Sequence, residues 1–203
     1  MSENIKTNLF QAANVIVTCS ESGKLSSSLV KYWIDKVLRP VVRDKKVLLL
    51  LDIWGGQTDQ QLYSQMKHLR IEVIPKKTTA MIQPLDITFN RQYKRIVRTI
   101  FDHVRLHDLD CNLSERNNII KLTSLCYNQL CSKKFFLMNQ YSWFKGGYLE
   151  THPGSYQNVE ETCFRFQDYC CQEKKCNSIP LIQCSFCENV LCFYHFFVLY
   201  HIH

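Results

Sequence analysis

The stretch VLLLLDIWGGQTD, residues 47–59, decides the fold. Five aliphatic residues in a row follow Lys45 and Lys46 and stop at Asp52. Unbroken apolarity over that length is the pattern of a strand covered on both faces. A carboxylate directly behind such a strand projects from the carboxyl edge of the sheet, where open α/β sheets place their chemistry. Trp54-Gly55-Gly56 then turns the chain.

Outward from this strand, residues 58–69 suit a helix and residues 71–74 a strand that Pro75 terminates. Upstream, NVIVTC (residues 14–19) alternates apolar and polar residues as a strand does, and Ser20-Glu21-Ser22-Gly23 makes a turn. Ser26 to Ser28 supply the cap of a helix whose apolar stripe, Leu29, Val30, Trp33, Ile34, Val37 and Leu38, stops before Pro40. Strands alternating with helices predict a parallel α/β sheet. Beyond a loop over residues 76–85, a long helix starts near Asp86, with Phe89, Tyr93, Ile96, Val97, Ile100, Phe101 and Val104 at helical spacing. Residues 114–131 and 133–145 continue the helical pattern. Gly146-Gly147 and His152-Pro153-Gly154-Ser155 then mark a change of composition. The expected organisation is a core over 14–148, a linker over 149–162 and a Cys/His-rich tail over 163–203.

Asp52 ends one strand and Asp86 follows the next, so both carboxylates are expected at one sheet edge, as oxygen ligands for Mg²⁺ or Mn²⁺. Taken one at a time, Asp52 reads better as a plain strand end and Asp86 as a helix cap. Together, LLLLDIWGGQTD (48–59) and IPKKTTAMIQPLDITFNRQYK (74–94), with 33 residues between the aspartates, resemble the two blocks of pogo/Tigger and mariner-related DDE transposases. The likeness runs from NVIVTCSESGKLSSSLVKYW (14–33) to FKGGY (144–148). It implies an α/β, ribonuclease H-like core, a nuclear DNA-processing origin, and the roles of second and third catalytic acid for Asp52 and Asp86.

In that family the first catalytic aspartate sits on an earlier central strand. The 13 residues before Asn14 carry one acid, Glu3, and no strand-like run. The expectation is an incomplete ribonuclease H-like core without independent cleavage, because two-metal phosphoryl transfer needs carboxylates holding ions about 3.5–4 Å apart. Residues 47–51 would then carry an unpaired edge, closed by neighbouring strands or by association with a second copy or a protein partner.

Arg91, Lys94, Arg95 and Arg98 fall on one face of the Asp86 helix, at i, i+3, i+4 and i+7. Such a row gives sequence-independent, salt-sensitive contact with DNA phosphates, or is simply a solvated face. A net charge of +7 suits a polyanionic partner. No run approaches the ~20 apolar residues of a membrane span, and no signal-peptide pattern opens the chain.

Seven of the 11 cysteines lie between Cys163 and Cys192, an odd and uneven count that favours metal ligation over a disulfide framework. The ligands come in pairs: Cys171 and Cys176, Cys184 and Cys187, Cys192 and His195, His201 and His203. Cys184-x-x-Cys187 has the gap that lets two thiolates grip one Zn²⁺. Cys163 and Cys170 compete for the first pair. The order resembles the cross-brace finger that ends piggyBac-type transposases, where alternate pairs share a metal. That resemblance implies Cys171, Cys176, Cys192 and His195 on one Zn²⁺, with Cys184, Cys187, His201 and His203 on the other. Two functions remain open at this point: a transposase-derived nucleic-acid-binding protein, or a zinc-dependent module that contacts protein or chromatin beside a relic core.

Overall fold

The computed structural model describes residues 8–20 and 23–203; Glu3, and Glu21 and Ser22 of the expected turn, lie outside the described residues. Two compact units emerge, Val17–Gln83, and Asn8–Ile16 together with Pro84–His203. Among the described residues no helix is long and apolar enough to cross a membrane.

In the first unit, Ser26 caps helix α1 (Ser27–Trp33) by accepting from the Leu29 N–H. The expected stop before Pro40 does not occur. A π-helical turn (Ile34–Leu38) carries the chain into helix α2 (Arg39–Val42). Its i+5 spacing opens the ladder just where proline, lacking an N–H, would clash with a carbonyl one turn back. The buried stripe therefore continues as Val30, Ile34, Leu38 and Val42. Strand β1 (Val47–Leu51) lies where its sequence places it and pairs in parallel with β2 (Leu69–Val73), Val47 opposite Leu69 and Leu51 opposite Val73. Only one face is fully used. Val47, Leu49 and Leu51 join the cluster around Ile34, whereas Leu48 is exposed, so β1 is not covered on both sides.

Two further expectations give way. Residues 58–69 form a short 3-10 turn (Gln60–Tyr63), capped by the Asp59 carboxylate, rather than a helix. The NVIVTC segment forms no strand. Asn14 instead donates to the Ser124 carbonyl, and Ile16 and Val17 face solvent. Period-two alternation makes a strand possible, but only an available edge makes one. Helix α3 (Thr79–Ile82) closes the unit.

The second unit is mainly helical. After a π-helical turn (Leu85–Phe89), helix α4 (Asn90–Leu106) buries Ile96, Ile100 and Val104. Helix α5 (Arg116–Leu130) and helix α6 (Phe136–Lys145) follow. The tail contributes a π-helical turn (Glu160–Phe164), an antiparallel pair β3 (Pro180–Gln183) and β4 (Val190–Cys192), and a final π-helical turn (Tyr194–Val198). One core runs through all of it. Ile96, Leu125, Leu130, Phe135 and Met138 from the helices pack in one cluster with Cys163, Ile182, Leu191, Phe196 and Phe197 from the tail. The segment Asn8–Ile16 is strapped on by Phe10, whose ring meets Tyr200 edge-on at 4.8 Å, and by Asn117, which bonds the backbone of Phe10 and Asn8.

Candidate metal centres and nucleic-acid interface

Asp52 follows β1 directly and is half-buried. Gln57 holds it, donating from Nε2 to both the carboxylate and the Asp52 carbonyl, and the Tyr63 hydroxyl holds Gln57 through its backbone carbonyl at 2.8 Å. Trp54 folds its indole onto Gly56, where any Cβ would collide with the ring. Asp52, Trp54 and Gln57, with Lys24 and Gln83, line an open cleft of about 540 Å³. The Gln83 side-chain oxygen is buried and finds no donor among the described residues. A carboxylate and an orphaned amide oxygen in one cleft are, in donor chemistry, the hard oxygens that Mg²⁺ or Mn²⁺ takes. Asp86 belongs to the second unit, in the turn that opens α4, where Asn90 donates to its carboxylate at 2.7 Å. Neither aspartate belongs to a set of three or more clustered ligand residues among the described residues.

Arg91, Lys94, Arg95 and Arg98 are all exposed on α4. The row is not uniformly cationic, because Arg95 gives two hydrogen bonds, 2.8 and 2.6 Å, to the Glu160 carboxylate. Arg91, Lys94 and Arg98 make no ion pair among the described residues.

The tail brings its eight ligands to two points. Cys171, Cys176, Cys192 and His195 form one set; Cys184, Cys187, His201 and His203 form the other; in each, the ligand atoms lie within 4.8 Å of one another. Cys176 and Cys192 sulfurs are 3.9 Å apart, far beyond a disulfide bond. His195 Nδ1 lies 3.3 Å from Cys171 and 3.2 Å from Cys192. His201 Nε2 lies 3.4 Å from Cys187 and 2.9 Å from His203 Nε2. A tetrahedron around Zn²⁺ has edges of about 3.8 Å between sulfurs, 3.6 Å between sulfur and nitrogen and 3.3 Å between nitrogens. The residues therefore fit the metal in number, chemistry and spacing. Neither Cys163, which is buried in the core, nor the exposed Cys170 joins a set. Burial, with Cys184 nearby, pushes the Cys163 thiol up to about 12.

Local backbone explains how the ligands are aimed. The Cys184–Cys187 turn sits at the end of the β3–β4 hairpin, closed by Cys184 N–H to Asn189 O and Glu188 N–H to Cys184 O. Left-handed backbone occurs at Glu188 (φ 65°), Lys175 (φ 61°) and Tyr200 (φ 56°), each adjacent to a ligand. A non-glycine residue there costs about 1–2 kcal/mol, which ion coordination would offset. Burial opposes ionisation of Cys184. His201, the N–H groups of Cys187 and Phe186, and Gln129 overcome it and bring that thiol down to about 6. Ser178 brings Cys176 down to about 7.

Helix α5 supplies an outer shell that sequence reading missed. Gln129 is fully buried; its Nε2 lies 3.7 Å from the Cys184 sulfur, and its Oε1 accepts from the Ser185 N–H at 2.7 Å. Asn128 holds the chain end, donating to the His203 carbonyl at 2.9 Å. The available signal was polarity out of place: two adjacent amides, Asn128 and Gln129, between the apolar residues Leu125, Cys126 and Leu130.

The chain thus combines a parallel α/β pair ending in an aspartate, a helical unit with a cationic row and a thiol–imidazole tail. Residues 2–145 match the family model of the DDE superfamily endonucleases, and the chain belongs to that family. Residues 143–203 match the Tc5 transposase C-terminal domain, the description the tail takes where its ligand order suggested a piggyBac-type finger. No curated protein and no solved structure matches the chain.

Proposed function

We propose that this chain is a nuclear, DNA-binding derivative of a pogo/Tigger-type transposase, whose ribonuclease H-like residues Asp52 and Asp86 do not cut DNA by themselves. The observation that carries the binding reading is the exposed row Arg91, Lys94 and Arg98 on the helix that Asp86 opens, in a chain of the DDE family. Phosphate contacts from three unpaired cations give affinity that falls with salt at a slope of about 0.9 per contact.

Asp52 and Asp86 take the roles of second and third catalytic acid, and Mg²⁺ or Mn²⁺, when bound, would polarise a phosphate and its attacking water. Asp52, oriented by Gln57 and accompanied by the Gln83 oxygen, offers a partial ligand set that supports weak metal binding without turnover. The tail carries two Zn²⁺ ions in alternate pairs, a cross-braced arrangement in which each ion ties together segments that flank the other's ligands. Zinc there organises structure and does no chemistry, because four protein ligands leave no open position.

A duplex-binding titration against salt tests this. Wild type should bind, and Arg91→Ala/Lys94→Ala/Arg98→Ala should flatten the salt slope by about 2–3. An unchanged slope overturns the α4 interface. With Mg²⁺ or Mn²⁺ the purified chain should neither nick nor join DNA; cleavage that vanishes in Asp52→Asn would show a complete enzyme.

A further inference from the structure

In the first unit the parallel register does something the sequence does not announce. Lys46 leads into β1, and Lys67 and His68 lead into β2, 21 residues later. Because the strands are parallel and Val47 sits opposite Leu69, the two strands begin at the same edge, tied by the Val47 N–H to the His68 carbonyl at 3.0 Å. Lys46, Lys67, His68 and Arg70 line one cleft of about 470 Å³ whose other walls are Val47, Leu48 and Leu69. No acid lines it. Lys46, Lys67 and His68 make no ion pair among the described residues, and Arg70 shares its charge with Glu72 at 2.7 Å. All four basic side chains are exposed. Like charges gathered in one concavity repel one another unless an anion fills it, so the arrangement favours a polyanion over open solvent.

We infer that this amino-edge cleft is a second DNA contact, which grips the phosphate backbone of a duplex. It is distinct from the α4 row and rests on the nucleic-acid reading above. Its chemistry favours paired over unpaired strands. The walls between the cations are aliphatic, and the lining holds no Phe, Tyr or Trp on which a free base could stack, His68 being its one ring; single-strand sites draw much of their affinity from such stacking. A duplex turns its base faces inward and presents its phosphate backbone outward, which is what exposed lysines beside aliphatic walls can hold.

The test uses the full chain, a fluorescent duplex and the matching single strand, each titrated over a range of salt. Lys46→Ala/Lys67→Ala should flatten the duplex salt slope by about 2, with zinc content and circular dichroism unchanged. Lys46→Arg/Lys67→Arg should restore the slope. If wild type binds duplex and Lys46→Ala/Lys67→Ala keeps the full slope, the cleft is no contact, although the α4 reading stands. If the single strand loses as much slope as the duplex, the duplex assignment is wrong. If wild type binds neither, this inference falls together with the nucleic-acid reading.

Discussion

The Asp52 cleft and the Cys/His tail are both candidate places for metal, and they are built to different standards. Around Asp52 a carboxylate is engaged by Gln57, one amide oxygen waits without a donor, and the sheet behind it has two strands. In the tail, eight ligands converge in two sets at tetrahedral spacing, left-handed residues aim the turns, and Gln129 and Asn128 brace one set from a neighbouring helix. The difference matches what a metal at each site would be asked to do. A catalytic ion needs an incomplete shell, and its site survives as a motif even when ligands are few. A structural ion needs the whole shell, because its binding energy is folding energy.

Zinc removal is the most severe test of that contrast. Each structural Zn²⁺ contributes on the order of 10–16 kcal/mol at neutral pH, so a strong chelator should unfold the tail. Since Phe196 and Phe197 share a core with Leu125 and Leu130, the loss should spread into α5 rather than stop at residue 163. Hydrogen exchange checks this: Leu125 and Leu130 amides should lose protection while Leu49 and Leu51 keep theirs. Elemental analysis should find two Zn per chain, falling to one in Cys184→Ser/Cys187→Ser.

Phe196→Ala probes the same shared core without touching a ligand. The ring is fully buried, and truncation should cost about 3–5 kcal/mol of unfolding free energy, read by chemical denaturation of the zinc-loaded chain. A cost below about 1 kcal/mol would mean that the tail packs on the helices only loosely.

Gln129→Leu keeps the volume and removes the outer-shell amide. Zinc affinity at one of the two sites should fall about 10–100-fold, measured by competition with a chromogenic chelator. Equal loss at both sites would contradict the placement of Gln129 beside Cys184 alone.

The smallest effect concerns His103, on α4, stacked with Phe193 at 6.4 Å and 4.4 Å from the His107 ring. Burial, then the neighbouring His107 charge, lowers its pKa to about 4. A folded-state value below the unfolded 6.5 means that the unfolded chain binds the proton first. The contribution to stability is therefore complete above pH 6.5 and is lost as pH falls towards 4. Relative to wild type, His103→Gln should lose less melting temperature between pH 6.5 and 4.

Legibility followed the range of the interactions. Strand β1, its aspartate, the α4 stripe and the ligand pairs were readable because each is written in a few neighbouring residues: an apolar run, a 3.6-residue period, a two-residue gap between thiols. The alternate sharing of those pairs came only by resemblance. The structure's two ligand sets follow the same alternation. Elsewhere local signals misled. NVIVTC alternates as a strand should, yet Asn14 found a better partner in Ser124. Pro40 should end a helix, yet a π turn absorbed it.

What the sequence determined by itself was the chemistry on offer: which residues are acids, cations and thiols, and on which local element each stands. Only the tertiary structure decided which of them meet. Lys46 joins Lys67 through strand register, Arg95 is taken by Glu160, and Gln129 reaches Cys184 across 55 positions of chain. Such pairings depend on how elements dock, and docking is set by burial summed over a whole core, which no window of a few residues contains.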